Sequence, residues 1–210
     1  MEQVRGFRIG NASFQCPCHA CAFFSSRDEE YELLLPFTKD GETSGERLFQ
    51  VVDKAHLSDR RKRLIDGGVD VRKCEDSGQL EIRPWEEAYL RGNRFDQDAM
   101  LTLIQDVLKE GRAKGFPMTR LWANMEWALH ELPGVHAIVE YETRLNKVLP
   151  NYDDVVVCTY DLTRFSAPVV MDIMRTHPQV IIGGVLQQNP FYVPPDAFLR
   201  ELNERAERPS

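Results

Sequence analysis

A chain of 210 residues is long enough for one large domain whose core needs no disulfide staples. With 42% hydrophobic and 28% charged residues it reads as globular, and a net charge of -7 argues against an overall nucleic-acid or anionic-membrane binder. No apolar run approaches the ~20 residues of a membrane span and residues 1–14 hold no apolar leader core, so the expected location is the cytoplasm, with reduced thiols.

Strands and helices alternate along the chain. Ala20 to Phe24 reads as a buried strand that ends at Ser25-Ser26. Asp28 opens a helix with Tyr31, Leu34, Leu35 and Phe37 on its stripe, ended by Gly41. Arg47 to Asp53 is a strand, followed by a helix over Ser58–Ile65 that stops at Gly67-Gly68. Its basic run, Asp59-Arg60-Arg61-Lys62-Arg63, reads as a solvated helix surface. Val69–Val71 and Leu80–Arg83 read as short strands about a Ser77-Gly78 turn.

A long helix over 97–114 keeps Met100, Leu103, Ile104, Val107 and Leu108 on one face, and Leu121–Trp127 is the next strand. Val135–Val148 is helical. Val155–Tyr160, the most β-branched run, is expected to be a central strand buried on both faces. Ala167–Arg175 is helical, Val180–Ile182 a strand closed by Gly183-Gly184, and 196–207 an amphipathic helix with Asp196 as its N-cap. Such alternation predicts an α/β fold: a three-layer arrangement with a mostly parallel sheet and helices on both faces.

Four segments, in order, resemble one family. They are His19-Ala-Cys21-Ala-Phe-Phe with Glu29-Glu30 and Leu35-Pro36-Phe37; Gly45-Glu46 leading to Val51-Val52-Asp53; Cys158-Thr-Tyr160-Asp161 with Arg164-Phe165; and His177-Pro178 through Gly183-Gly184 to Asn189-Pro190-Phe191-Tyr192. Together they resemble the MEDS domain, a sensory domain named for methanogens, methylotrophs and a dichloromethane-responsive regulator. The likeness runs from about Gly10 to Leu199. It implies a RecA/KaiC-like fold, with an extension over 1–18, one sensory domain over 19–199, and a helix end and tail over 200–210. It also implies a sensory or regulatory domain, of a kind often fused to histidine kinases or DNA-binding modules. This chain departs from that pattern in having no room for such an output domain, and with no catalytic constellation in view it is expected to be a stand-alone module rather than an enzyme. That module would bind a small ligand such as a hydrocarbon derivative and signal through a separate histidine kinase or transcription regulator, without touching nucleic acid or membrane itself.

A RecA-like fold raises the question of nucleotide binding. A phosphate-binding loop needs glycines, a lysine and a Ser/Thr. The turn after the first strand, Phe24-Ser25-Ser26-Arg27-Asp28-Glu29-Glu30, has no glycine or lysine and carries three carboxylates. Phosphoryl transfer by the usual mechanism is therefore not expected. A nucleotide-dependent switch on a rewired site stays open as the alternative.

Ligands of open α/β sheets bind at the carboxyl ends of strands. Those ends carry Ser25, Ser26, Asp53, Glu126, Trp127, Tyr160 and Asp161, with Arg164 just beyond. Tyr160, Asp161 and Arg164 would form a polar rim and Trp127 an apolar wall; alternatively, Asp161 and Arg164 pair locally and cap the next helix.

The five cysteines, Cys16, Cys18, Cys21, Cys74 and Cys158, form no disulfide framework. If the family fold sets the first strand beside the one carrying Cys158, then His19, Cys21 and Cys158 are three candidate ligands for zinc or copper. The bland reading is that Cys21 and Cys158 pack as small hydrophobes. A thiol redox sensor built on an exposed Cys16-x-Cys18 pair is a third. His177 reads as a partner of the preceding helix's carboxyl end.

Overall fold

The structure, a computed structural model, describes residues 6–9 and 12–207. The expected extension over 1–18 and tail over 200–210 fall partly outside the described residues. A hairpin of β1 (Gly6–Ile9) and β2 (Ala12–Gln15) precedes the main body. The first half continues with β3 (Cys18–Phe24), α1 (Arg27–Thr43), β4 (Arg47–Val52), α2 (Leu57–Asp66), α3 (Val71–Asp76) and β5 (Leu80–Pro84). The second comprises α4 (Gln97–Ala113), β6 (Thr119–Asn124), α5 (Ile138–Val148), β7 (Val155–Asp161), α6 (Ala167–Thr176), β8 (Gln179–Ile182), β9 (Val185–Gln188) and α7 (Pro195–Glu207).

Seven strands form one sheet in the order β5-β4-β6-β7-β3-β8-β9. All neighbours are parallel except β9, which runs antiparallel along β8. From β3 the chain steps past two strands to β4 and on to the β5 edge, then returns through β6 and β7 to β8. Right-handed crossovers place helices made on the outward run on one face and those made on the return run on the other. The core divides accordingly. Leu34 and Phe37 of α1 pack with Ala20, Ala22, Phe24, Trp122 and Val157, and Leu64 of α2 with Leu48 and Val52. On the opposite face Ile104, Tyr141 and Ile173, from α4, α5 and α6, pack with Cys21, Phe23, Phe49, Leu121 and Cys158. The expected three-layer α/β architecture is present.

Strand alternation decides which residues enter which layer. In β3, Ala20, Ala22 and Phe24 face α1, and Cys21 and Phe23 face the α4–α6 layer. All seven residues of β3 are buried, so the one polar member, His19, must find partners inside the protein.

Several expected boundaries differ. Val69–Val71 is not a strand: Asp70 caps α3 by accepting from the Lys73 amide at 3.2 Å, and Val71 opens that helix. Gly41 does not end α1; it lies inside the helix, where a β-carbon would stand 2.6 Å from Leu48 Cδ2. The strand expected over 121–127 occupies Thr119–Asn124, and Glu126 to Leu129 form a 3₁₀ turn. Asp196 sits within the first turn of α7 and pairs with Lys147 at 2.5 Å. Strand β9 was not expected. Gly183 and Gly184, with φ of 55° and 76°, make the tight reversal that folds it back on β8.

Candidate functional site

Two places concentrate polar chemistry: the strand ends beyond β3, β4, β6 and β7, and a buried cluster beneath α5 and α6.

At the strand ends, Ser26 caps α1 by accepting from the Glu29 amide at 3.2 Å, and the Glu29 carboxylate accepts from the Ser25 amide at 2.7 Å. The helix's own carboxylate therefore occupies the position where its first-turn dipole would favour an anion. Glu30 is 5% exposed; its Oε1 accepts from Trp122 Nε1 at 2.8 Å and from Arg60 at 3.2 Å. Arg60 thus belongs to a buried ion pair and not to the solvated surface expected for its basic run. Two cavities of about 10 Å³ each flank Glu30, room for about one water apiece, and share Arg27, Glu30 and Asn124 in their walls.

The residues expected to line a ligand pocket are dispersed among distinct duties. Asp53 accepts from the Ala55 amide at 2.8 Å and also lines one cavity; Ser26, Glu126, Tyr160 and Asp161 line the other. Asp161 accepts from the Thr163 amide and hydroxyl at 2.8 and 2.6 Å, and Arg164 pairs instead with Glu126. The local Asp161–Arg164 pair is therefore not formed. Trp127 lines neither of these two cavities: it is fully buried in the α4–α5 layer, stacked on Tyr89 at 4.7 Å and tilted against Phe95 at 4.3 Å.

The second place is a cluster of His19, Glu142, Cys158 and His177, whose ligand-type atoms all lie within 4.8 Å of one another. All four are buried, at 3% exposure or less. His19 comes from β3 and Cys158 from β7, Glu142 projects from α5, and His177 follows α6. Glu142 Oε2 stands 3.2 Å from His19 Nε2 and 3.4 Å from His177 Nε2; Cys158 Sγ is 3.6 Å from that oxygen and 3.7 Å from His19 Nε2. Tyr160 donates its hydroxyl to Glu142 Oε1 at 2.9 Å.

Hydrogen-bond partners make Nδ1 a donor in both imidazoles. Asn146 gives its amide N–H groups to the carbonyls of Glu142 and Thr176, at 3.2 and 2.5 Å, so its Oδ1 must accept from His19 Nδ1 at 2.9 Å. His177 Nδ1 donates to the Ile173 carbonyl at 2.9 Å. Each ring therefore turns its Nε2 toward the same Glu142 carboxylate oxygen, and His177 Nε2, at 3.4 Å, makes no well-formed hydrogen bond there.

Burial alone would raise the Glu142 carboxyl, but His177 and His19 outweigh it and hold the group well below the usual carboxylate range. Burial, then the neighbouring Glu142, pushes the Cys158 thiol and the Tyr160 phenol well up. Burial, reinforced by His19, lowers His177.

Of the three expected metal-ligand candidates, His19 and Cys158 converge. Cys21 is level with Cys158 in register but directs its Sγ toward the Gln179 carbonyl, 3.8 Å away, and lies outside the cluster. Glu142 was missed, although its signal was present: it sits on the apolar stripe of Ile138, Tyr141 and Leu145, where a charge has no solvent. His177 joins the cluster through Nε2 while its Nδ1 bonds the end of α6, so the expected helix-end contact accounts for only half of the ring. The exposed Cys16-x-Cys18 pair is not formed, because Cys18 opens β3 and is buried, and burial raises the half-buried Cys16 to about 12.

A mostly parallel seven-stranded sheet with helices on both faces, an acidic turn after β3 and a buried His–Glu–Cys–His cluster mark an α/β domain. The model of the methanogen/methylotroph, DcmR sensory domain, MEDS, matches residues 18–178, and the chain belongs to that family. It is 26% identical over 160 residues to the transcriptional repressor DcmR of Methylorubrum extorquens strain DM4. That match covers 76% of this chain and 57% of the repressor, so the chain corresponds to little more than half of that relative. The crystal structure of a KaiC-like protein from the hyperthermophilic archaeon Pyrococcus horikoshii OT3 is similar in fold, with a TM-score of 0.62 at 19% identity, over 85% of this chain and 80% of that one. Among the described residues no helix is long and apolar enough to cross a membrane.

Proposed function

We propose that the chain is a sensory module of a regulatory system, which binds a small organic ligand at the strand ends and acts on a separate regulator without hydrolysing nucleotide. The observation that carries this reading is the Glu30–Arg60–Trp122 network. In an ATPase of this fold the turn after the first strand cradles phosphate with backbone amides and a lysine. Here the same turn presents Glu29 to its own amide and buries Glu30, so a triphosphate would meet carboxylate at close range. The similar protein DcmR is a transcriptional repressor, which supports a regulatory output.

The adjacent cavities suit a ligand of few heavy atoms. A shift of the half-buried Arg27 would merge them into one site bounded by Glu30, Asn124 and Asp161. A ligand of a few heavy atoms would enter only with such a shift, and a nucleotide would need a far larger opening.

A thermal-shift screen of the full chain against ATP, GTP and a panel of small apolar and halogenated compounds tests the proposal. A ligand at a hundred times its Kd adds about 2.7 kcal/mol, roughly 5–10 °C for a chain of this size. The expected result is stabilisation by an organic compound, none by nucleotide, and loss of the effect in Asn124→Leu, which fills the junction of the cavities. Stabilisation by ATP, with none by any small compound, would overturn it.

A further inference from the structure

We infer that His19, Glu142, Cys158 and His177 form a closed tetrahedral site for a thiophilic first-row divalent cation, zinc by preference. The inference goes beyond the strand-end reading and does not rest on it, since the two sites share no residue but Tyr160, which is not a ligand here.

Geometry carries the argument. In a tetrahedral zinc site with Zn–N and Zn–O bonds of about 2.0–2.2 Å, neighbouring N and O donors stand about 3.3–3.5 Å apart; a thiolate at about 2.3 Å stands about 3.5–3.7 Å from them. The observed edges are 3.2 and 3.4 Å from Glu142 Oε2 to the two imidazoles, and 3.6 and 3.7 Å from Cys158 Sγ to Glu142 Oε2 and His19 Nε2. Four of the six edges thus have tetrahedral length, and the remaining two, from His177 Nε2 to His19 Nε2 and to Cys158 Sγ, lie within 4.8 Å, so a small inward shift of His177 closes the shell.

The surrounding contacts point the same way. A metal-ligating histidine characteristically donates its other ring N–H to a carbonyl or carboxylate, which fixes the tautomer. Both rings do so, His19 to Asn146 Oδ1 and His177 to the Ile173 carbonyl. Both Nε2 atoms then converge on one carboxylate oxygen, so a cation can take the place of the protons they would otherwise share with it. His177 Nε2 is buried without a well-formed hydrogen bond, as a vacant ligand would be. The free oxygen of Glu142, Oε1, is held by Tyr160.

Two imidazoles, a carboxylate and one thiolate make a mixed donor set that suits zinc over magnesium or calcium. Binding displaces the Cys158 thiol proton to solvent, and the thiolate and carboxylate together neutralise the dication. Four protein donors leave no open position for water or substrate, which marks the site as structural or regulatory rather than hydrolytic.

The test uses the full chain purified under reducing conditions without chelator. Elemental analysis should give one zinc per chain, retained in Cys21→Ser, whose sulfur lies outside the shell. Cobalt substitution should give a thiolate-to-metal charge-transfer band that disappears in Cys158→Ser. Asn146→Ala, which removes only the support of His19, should lower zinc affinity about 10- to 100-fold. Where a ligand variant does not fold, X-ray absorption at the zinc edge of the wild-type chain reads the shell directly, with one sulfur and three nitrogen or oxygen neighbours expected. A folded wild-type chain that takes up zinc, cobalt and copper only far below one per chain would overturn the inference. So would a charge-transfer band that survives Cys158→Ser, or a zinc shell without sulfur.

Discussion

Replacing Glu30 by alanine removes the carboxylate that neutralises Arg60 and accepts from Trp122. Glu30 is 5% and Arg60 2% exposed, so the guanidinium left behind keeps its charge without a counterion. Its remaining contacts are a 3.5 Å approach to Gln50 Oε1 and the face of Tyr31, 4.9 Å away, neither of which replaces an anion. Breaking a buried pair from one side costs about 3–5 kcal/mol. The orphaned Trp122 N–H would add about 1–3 kcal/mol if it stayed dry, but the flanking cavities admit water, so the total stays near the pair figure. At about 2–4 °C per kcal/mol for a chain of this size, the melting temperature should fall by roughly 6–20 °C. Urea unfolding followed by tryptophan fluorescence measures it. The double variant Glu30→Met with Arg60→Met removes both charges and should return to within about 2 kcal/mol of the wild type. A Glu30→Ala cost below about 1 kcal/mol would refute the reasoning, because it would mean the pair is solvated and the strand-end turn stands open.

Two further outcomes follow from the buried groups. Stability of the metal-free chain should fall as pH drops from 7 to 4. The His177 folded pKa is depressed, so the unfolded chain takes up its proton first, from about pH 6.5 downward; Glu142, also depressed, adds a loss of the same sign once pH falls below the ordinary carboxylate range. Urea midpoints across pH should show both limbs, with the upper one flattened in His177→Gln, and a flat profile would contradict the assignment. Trp127→Phe should cost only about 1–2 kcal/mol, because the substitution keeps the stack on Tyr89 and Phe95 and removes a buried N–H that has no acceptor. Trp127→Ala should cost about 3–5 kcal/mol, and Trp127→Phe should leave small-ligand stabilisation unchanged, unlike a true pocket wall.

What could be read in the sequence was whatever depends on local pattern. The β-branched run at Val155–Tyr160 and the stripe of Met100, Leu103, Ile104, Val107 and Leu108 each fix their element without help from the rest of the chain. Val69–Val71 misled because a three-residue apolar alternation is too short to choose between strand and helix, and the Asp70 cap decided it. Strand β9 was illegible because only one of its residues, Leu186, is buried, leaving no alternation to detect. At the buried cluster, His19 and Cys158 could be paired only through an assumed strand order. Glu142 and His177 come from two further elements, and nothing local marks them as partners. What does mark Glu142 is a contradiction: a carboxylate on the buried stripe of α5 must have a partner.

The same alternation that hides His19 also moves the chemistry of this domain. In nucleotide-binding relatives of the fold the working groups stand at the ends of strands, where a ligand arrives from solvent. In this chain the acidic turn has folded that position in on itself, and the densest set of donors lies on the face of the sheet, under α5 and the end of α6. Asn146, one turn beyond Glu142, joins His19 to the Thr176 carbonyl, so β3, α5 and α6 are connected through one side chain. Helix α7 lies over the same two helices through Lys147–Asp196, Arg175–Glu201 and Arg205–Asp172. A cation seated among four elements therefore sets the spacing of the helices that carry α7, while the strand-end cavities touch β3 and β7 from the other direction. Strands β3 and β7 pair residue for residue from Cys18–Val155 to Phe24–Asp161, so a displacement at the strand ends passes along the same backbone that positions His19 and Cys158. That shared pair of strands would give the domain a physical route from the proposed ligand at its edge to a helical surface on its face.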